Sequence, residues 1–205
     1  MAAFQEKSDD PRMTSPTLLA RLQSLSDHAA WEAFYERYWR LIVSFAMKRG
    51  CSEAMSHDVL QETMFILMRV MADFTYDRSQ GQFRSYLAKI VDYRIKDAQR
   101  RERKYINVDP DQQKSAIQET RHDFKELWDK EWTTNLVHLA LERVNERLTP
   151  VTAESFRMYV MEQMPAEEVA KCLGIKANAV YQHKARVLSL LETEIKSLER
   201  EESLI

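Results

Sequence analysis

Three groups of side chains have the types and spacing to do chemistry. The first lies in SYLAKIVDYRIKDAQRRERK, residues 85–104, where Tyr86, Lys89, Tyr93, Lys96 and Arg100 recur at helical intervals. Placed at 100° per residue, they fall with Arg103 within about 100° of arc. Phe83, Leu87, Ile90, Val91, Ile95 and Ala98 cover the opposite side, so a core has no need of the tyrosines. Rings interleaved with cations suit single-stranded nucleic acid. The rings stack on unpaired bases at roughly 1–3 kcal/mol each, and the cations follow the phosphates. A solvated face with snorkelling side chains has the same pattern, and the residues alone do not choose between the two.

The second group lies in DVLQETMFILMRV, residues 58–70. Asp58, Gln61, Glu62, Phe65 and Arg69 share one helical face, while Val59, Thr63, Met64, Leu67 and Met71 belong to the other. An acidic face holding a large apolar residue suits docking against a basic partner helix. His57, Asp58 and Glu62 are metal-ligand types, but no second cluster converges on them, and a metal site is not expected.

The third group lies in PAEEVAKCLGIKANAVYQHKARVLSLL, residues 165–191. A helix-turn-helix needs a small residue where its two helices cross, here Ala170, and a turn residue tolerant of unusual backbone angles, here Gly174. Apolar residues must lock the two helices together, and Val169, Leu173, Ile175 and Val180 stand at that spacing. The second helix would enter the major groove by its N-terminal end. It would present Lys176, Asn178, Ala179, Tyr181, Gln182, His183, Lys184 and Arg186. Asn and Gln read adenine edges, and Lys and Arg read guanine or grip phosphate. The plain alternative is a helical hairpin in a bundle. No glycine-rich phosphate loop, nucleophile elbow or catalytic triad is visible. No catalytic residue, metal or cofactor is therefore expected.

These groups need helices to position them, and the composition supplies helices. The chain has 205 residues, 30% of them charged, with only 3 Gly and 5 Pro; this is a soluble, helix-rich composition. Gly50, Gly81 and Gly174 sit where helical periodicity breaks, as glycine does just past helix ends. Before Gly50, Trp31, Phe34, Tyr35, Tyr38, Leu41, Ile42 and Phe45 predict an amphipathic helix capped by Ser26 or Asp27. Ser52 or Ser56 opens a second helix to about Asp73, followed by the polar loop FTYDRSQGQ and then the tyrosine–cation helix. After a polar stretch with Pro110, helix returns over residues 119–148, with Phe124, Leu127, Trp128, Trp132, Leu136, Leu139 and Val144 near one side and Pro150 as its stop. Residues 151–164 predict another helix, and Pro165 starts the next.

The net charge of −2 hides an asymmetry. Arg94, Lys96, Arg100, Arg101, Arg103 and Lys104 cluster against only Asp97 and Glu102, while residues 105–168 are rich in acids. This fits a basic patch on an otherwise acidic molecule. No apolar run approaches the roughly 18 residues of a membrane span. The N-terminus lacks the apolar core of a signal peptide. Cys51 and Cys172 lie far apart and read as reduced thiols of a cytoplasmic protein.

The residues 58–70, then FTYDRSQGQFRSYLAKIVDYRIKDAQRR, then the C-terminal helix-turn-helix resemble the extracytoplasmic-function sigma factors of bacterial RNA polymerase. The resemblance covers residues 26–104 (region 2) and 133–198 (region 4), which leaves an N-terminal tail, 1–25, a linker with a helical extension, 105–132, and a C-terminal tail, 199–205. It implies an all-α fold of two helical domains and an alternative sigma factor. The implied partners are core RNA polymerase, through its β′ clamp coiled coil and β flap, promoter DNA, and an anti-sigma factor as regulator. It further implies that Asp58, Gln61, Glu62 and Phe65 bind polymerase. Phe74, Tyr76 and Arg84 would take part in −10 recognition, with Tyr86, Lys89, Tyr93, Lys96 and Arg100 holding the melted strand. Lys176, Asn178, Tyr181, Gln182, His183, Lys184 and Arg186 would read the −35 element. Base extrusion costs a few kcal/mol, so a pocket and a stacking surface must offset it. The chain departs from many members at Tyr86 (often Trp), Tyr93 (often Asn), Arg94 and Lys96 (often apolar), and Tyr181 and His183 (often Lys and Arg). Two readings compete: an ordinary helix-turn-helix regulator binding duplex DNA as a dimer, and a helical metalloenzyme.

Overall fold

The first long helix, α2 (His28–Lys48), begins where Asp27 leaves the helical conformation. The Asp27 carboxylate accepts the Ala30 N–H at 3.0 Å. Arg21 grips the same carboxylate through Nε and Nη2 at 2.8 and 3.0 Å. These bonds hold the Asp27 carboxyl below its ordinary value, the Arg21 hydrogen bond first. At the other end Gly50 takes φ +85°, and the Cys51 N–H reaches back to the Ala46 carbonyl at 3.1 Å. A left-handed glycine thus closes the helix. The computed structural model describes residues 16–72, 83–106 and 121–203, which are helical with no strand among them.

Helix α3 (Glu53–Met71) starts at Ser52, whose hydroxyl accepts the Met55 N–H at 3.3 Å. Helix α4 (Phe83–Ile106) packs with α2 and α3. Their shared core holds Phe34, Tyr38, Leu41, Ile42 and Phe45 of α2, Val59, Leu67 and Met71 of α3, and Phe83, Leu87, Val91 and Ile95 of α4. Tyr35, placed on the α2 stripe by its spacing, is instead 39% exposed, on the flank of that stripe. Ile90 and Ala98, at the margins of the α4 stripe, are half-buried. A short helix, α1 (Pro16–Arg21), precedes this core within the span read as a tail, and Leu18, Leu19 and Leu22 are buried there.

Helix α5 (Arg121–Asn145) accounts for the two tryptophans of the extension. The chain divides into two compact units inside α5, between Asn135 and Leu136. In the first unit Trp128 meets Phe45 edge-to-face at 4.9 Å, and Trp132 lies 5.7 Å from Tyr38. Ser44 donates to the buried Glu131 carboxylate at 2.6 Å, Lys48 pairs with the same group, and the Asn135 amide donates to the Arg37 carbonyl at 3.0 Å. The first part of α5 is thus a fourth wall of the α2–α4 bundle.

The second unit, Leu136–Arg200, contains the rest of α5 and three more helices. Buried Arg143 donates to Glu194 at 2.9 Å, and Arg147 reaches the same carboxylate at 3.1 Å. Thr149 caps α6 (Pro150–Phe156), with Pro150 in the first turn, where a missing N–H costs nothing. A π-helical turn, Arg157–Met161, then interrupts the helix expected over residues 151–164. Helix α7 (Ala166–Leu173) ends at Gly174, at φ 65° and ψ 31°. The Ile175 N–H closes that end on the Ala170 carbonyl at 3.0 Å, and α8 (Ala177–Ser203) follows.

Candidate nucleic-acid and partner interfaces

The two faces of α3 separate as their side-chain types require. Val59, Thr63, Met64, Leu67 and Met71 are buried. Asp58 and Gln61 are exposed, and Phe65 stands 61% exposed on the same side. Beside Phe65 lies an open apolar groove of about 540 Å³, lined by Leu25, His28, Trp31, Phe65, Met68, Arg69 and Ala72. Glu62 differs from its neighbours. Arg101 of α4 donates to both of its oxygens, at 2.6 and 2.8 Å, and Arg94 lies at 3.4 Å. Glu62 in turn holds the Arg101 guanidinium above its ordinary range. The acidic face is therefore bridged to the basic helix through this one carboxylate, a tie that side-chain spacing along α3 could not reveal. Among the described residues, no group of three His, Cys, Asp or Glu is placed to hold a metal ion.

The stripe on α4 lies outside the core. Lys89, Tyr93, Lys96 and Arg100 are exposed, Tyr93 at 59%. Tyr86 is half-buried, its ring 6.3 Å from Phe83, and burial pushes its phenol above the ordinary value. The cations are not all equally available. Lys96 pairs with Asp92 at 2.7 Å, and Arg100 lies 3.9 Å from Asp97. Both pairs are exposed i,i+4 or i,i+3 contacts, worth only a few tenths of a kcal/mol, so a phosphate can displace them. Arg84 is more firmly held. It pairs with Asp129 and its guanidinium stands 4.9 Å from the centre of the Trp132 ring. Phe74 and Tyr76 lie outside the described residues.

In the second unit, Val169, Ala170 and Val180 are buried with Ala166, and Leu173 and Ile175 pack partly buried against them. With Gly174 left-handed, the helix-turn-helix geometry expected from the spacing is in place. Lys176, Asn178, Tyr181, Gln182 and Arg186 are exposed along the first turns of α8. His183 and Lys184 are half-buried. The His183 Nδ1 is enclosed without a hydrogen-bond partner, and the Lys184 ammonium stands 5.3 Å from the centre of the Tyr159 ring. Cys51 is buried, and burial raises its thiol above the ordinary value.

A helical bundle with an exposed acidic–apolar face beside a tyrosine–cation stripe, followed by a separate helix-turn-helix unit, holds more surface than a grip on duplex DNA requires. Comparison with known families makes this specific. The sigma-70 region 2 family matches residues 34–105, and the sigma-70 region 4 family, in the form typical of extracytoplasmic-function members, matches residues 138–191. The two matches together cover more than half of the chain, and the chain belongs to the sigma-70 family. It is an alternative sigma factor: it binds core RNA polymerase and directs promoter-specific initiation. A regulator that binds duplex DNA as a dimer is not favoured, because it has no use for a region 2 domain. No curated protein matches the chain at a significant level. Among solved structures, CnrH in complex with the cytosolic domain of CnrY is similar at 20% identity over 90% of this chain and 98% of that one, with a TM-score of 0.38. The RsbN–BldN complex is similar at 16% identity over 85% and 97%, with a TM-score of 0.35. Likenesses that remote carry no functional weight. Among the described residues, no helix is long and apolar enough to cross a membrane.

Proposed function

We propose a division of labour among these surfaces. The domain over residues 26–104 docks on the β′ clamp coiled coil of core polymerase through Asp58, Gln61, Glu62 and Phe65. Phe65 and the apolar groove beside it supply the desolvated centre of that contact, and the acidic residues supply orientation. The same domain reads and melts the −10 element, with Phe74, Tyr76 and Arg84 at the recognition loop and Tyr86, Lys89, Tyr93, Lys96 and Arg100 along the open strand. The domain over residues 133–198 meets the β flap and reads the −35 element through Lys176, Asn178, Tyr181, Gln182, His183, Lys184 and Arg186. The protein works in the cytoplasm and contributes binding energy with no catalysis of its own. An anti-sigma factor would silence it by covering the same polymerase-facing surfaces.

The observation that supports this reading most directly is that α3 and α4 each expose a second face the core does not use: Asp58, Gln61 and Phe65 on one, Tyr93, Lys96 and Arg100 on the other. A core-polymerase pull-down tests the docking half. Asp58→Arg places a like charge against a basic partner, at a cost of several kcal/mol, and should abolish capture while the protein stays folded. Undiminished capture by folded Asp58→Arg would remove α3 from the interface.

A further inference from the structure

Within the second unit the backbone departs from regular geometry between α6 and α7. The π-helical turn Arg157–Met161 is closed by the Glu162 N–H on the Arg157 carbonyl at 3.1 Å. Gln163 then takes φ 56°, rare for a residue with a side chain, and the Met164 N–H bonds to the Met158 carbonyl at 3.0 Å. Single π turns occur frequently at functional sites. This one carries Tyr159 to the recognition helix. The Tyr159 ring stands edge-on to Tyr181, 5.7 Å away with an interplanar angle of 89°, and it also receives the Lys184 ammonium at 5.3 Å. Tyr181 and Lys184 are three residues apart on α8 and so share a face. Tyr159 itself packs, partly buried, against the Ala166, Val169, Ala170 and Val180 core. One ring thus joins the fixed core of the helix-turn-helix to two of its outward-facing residues.

A lysine is a compact charge on a flexible stem. Left free, it is attracted to any nearby phosphate and discriminates little between bases; reading a base edge requires a donor held in a defined place. We propose that Tyr159 is a specificity-determining positioning residue of the DNA-reading helix: it fixes where Lys184 and Tyr181 stand, and so converts Lys184 from a general phosphate contact into a base-selective one. This rests on α8 being the −35 reader. Tyr159 need not touch DNA, and the aromatic face rather than the hydroxyl holds the ammonium.

The test is promoter selection by reconstituted holoenzyme on a template pool randomised across the −35 element. Wild type and Tyr159→Phe should enrich the same bases. Tyr159→Leu should lose about three- to tenfold of the enrichment at the base pairs next to Lys184, on the scale of a partly desolvated cation–π contact, with a salt slope of binding no shallower than wild type, since the released lysine turns to phosphate. Adding Tyr159→Leu to Lys184→Met should change enrichment at those base pairs no further, since the ring would have nothing left to position there. A folded Tyr159→Leu protein with full wild-type selectivity would overturn the inference and leave the −35 assignment standing. A wild-type holoenzyme with no preference anywhere in the element would remove both. A second measurement needs no variant: in the free wild-type protein, NMR should show the Lys184 side-chain methylene protons shifted upfield by the Tyr159 ring, and unshifted protons would also overturn the inference.

Discussion

At the scale of single residues, the α4 stripe divides into side chains with one role and side chains with two. Tyr93 is open to solvent and has the Arg94 guanidinium 4.4 Å from its ring centre, so one ring face is covered by a cation and the other is left to stack. Tyr93→Ala should slow promoter opening, read as lost permanganate reactivity of thymines near the start site, by an amount matching roughly 1–3 kcal/mol per base stacked. The salt slope should stay near wild type, because no charge is removed. Lys96→Ala with Arg100→Ala should do the reverse and flatten the salt slope, since those residues release counterions from phosphate. If Tyr93→Ala opened promoters at the wild-type rate, the stripe would be a solvated face. Tyr86 is a poorer probe, because its ring also leans on Phe83 and its loss would disturb the core. Phe83→Ala is the stability control: it removes a fully buried ring, and should lower unfolding free energy by roughly 3–5 kcal/mol in denaturant titration. Glu62 also has two roles. Removing it leaves Arg94 and Arg101 with Asp97 alone as well as altering the proposed docking face, so Asp58 and Phe65 are the cleaner positions for testing polymerase binding.

At the scale of elements, what was legible in the sequence followed from periodicity and from capping chemistry. Asp27, Ser52 and Gly174 stand where short polar side chains and a left-handed glycine had to stand, and the starts of α2 and α3 and the break between α7 and α8 follow from them. The packing of α5 was not legible, for a physical reason. Its inner face includes Glu131 and Asn135, which any pattern of apolar residues assigns to solvent, yet both are buried by bonds to Ser44, Lys48 and the Arg37 backbone far away in sequence. The same holds for Arg143 and Glu194: the buried carboxylate is met by Arg143 and by Arg147, and such pairing has no local signature. The π turn likewise breaks no propensity rule that a sequence displays. Trp132→Ala should destabilise the first unit by roughly 3–5 kcal/mol in chemical denaturation; a loss below 1 kcal/mol would mean that α5 is an appendage to the bundle. The α2 cap gives a pH dependence. Because the folded-state Asp27 carboxyl sits below its ordinary value, its contribution is complete above the ordinary carboxylate range and is lost as pH falls through the lowered folded value. Asp27→Asn, which can still accept the Ala30 N–H, should remove that part of the acid sensitivity, seen as a smaller fall in melting temperature between neutral and acidic pH.

At the scale of the whole molecule, the charge asymmetry read from the sequence becomes a placement of surfaces. The basic residues of the chain's middle lie along α4, next to an acidic face on α3, and a separate helix-turn-helix follows. A protein that only bound duplex DNA would need the last of these and neither of the others. The central claim is that all three work together on one enzyme. The most direct measurement is run-off transcription with purified core RNA polymerase, the purified protein and a linear template carrying its promoter. Core polymerase alone and protein alone should give no defined transcript. The combination should give one of fixed start site, and Asp58→Arg should abolish it. A protein that failed to bind core polymerase or to yield a defined start, while alone it bound a palindromic duplex as a two-fold dimer, would contradict the account.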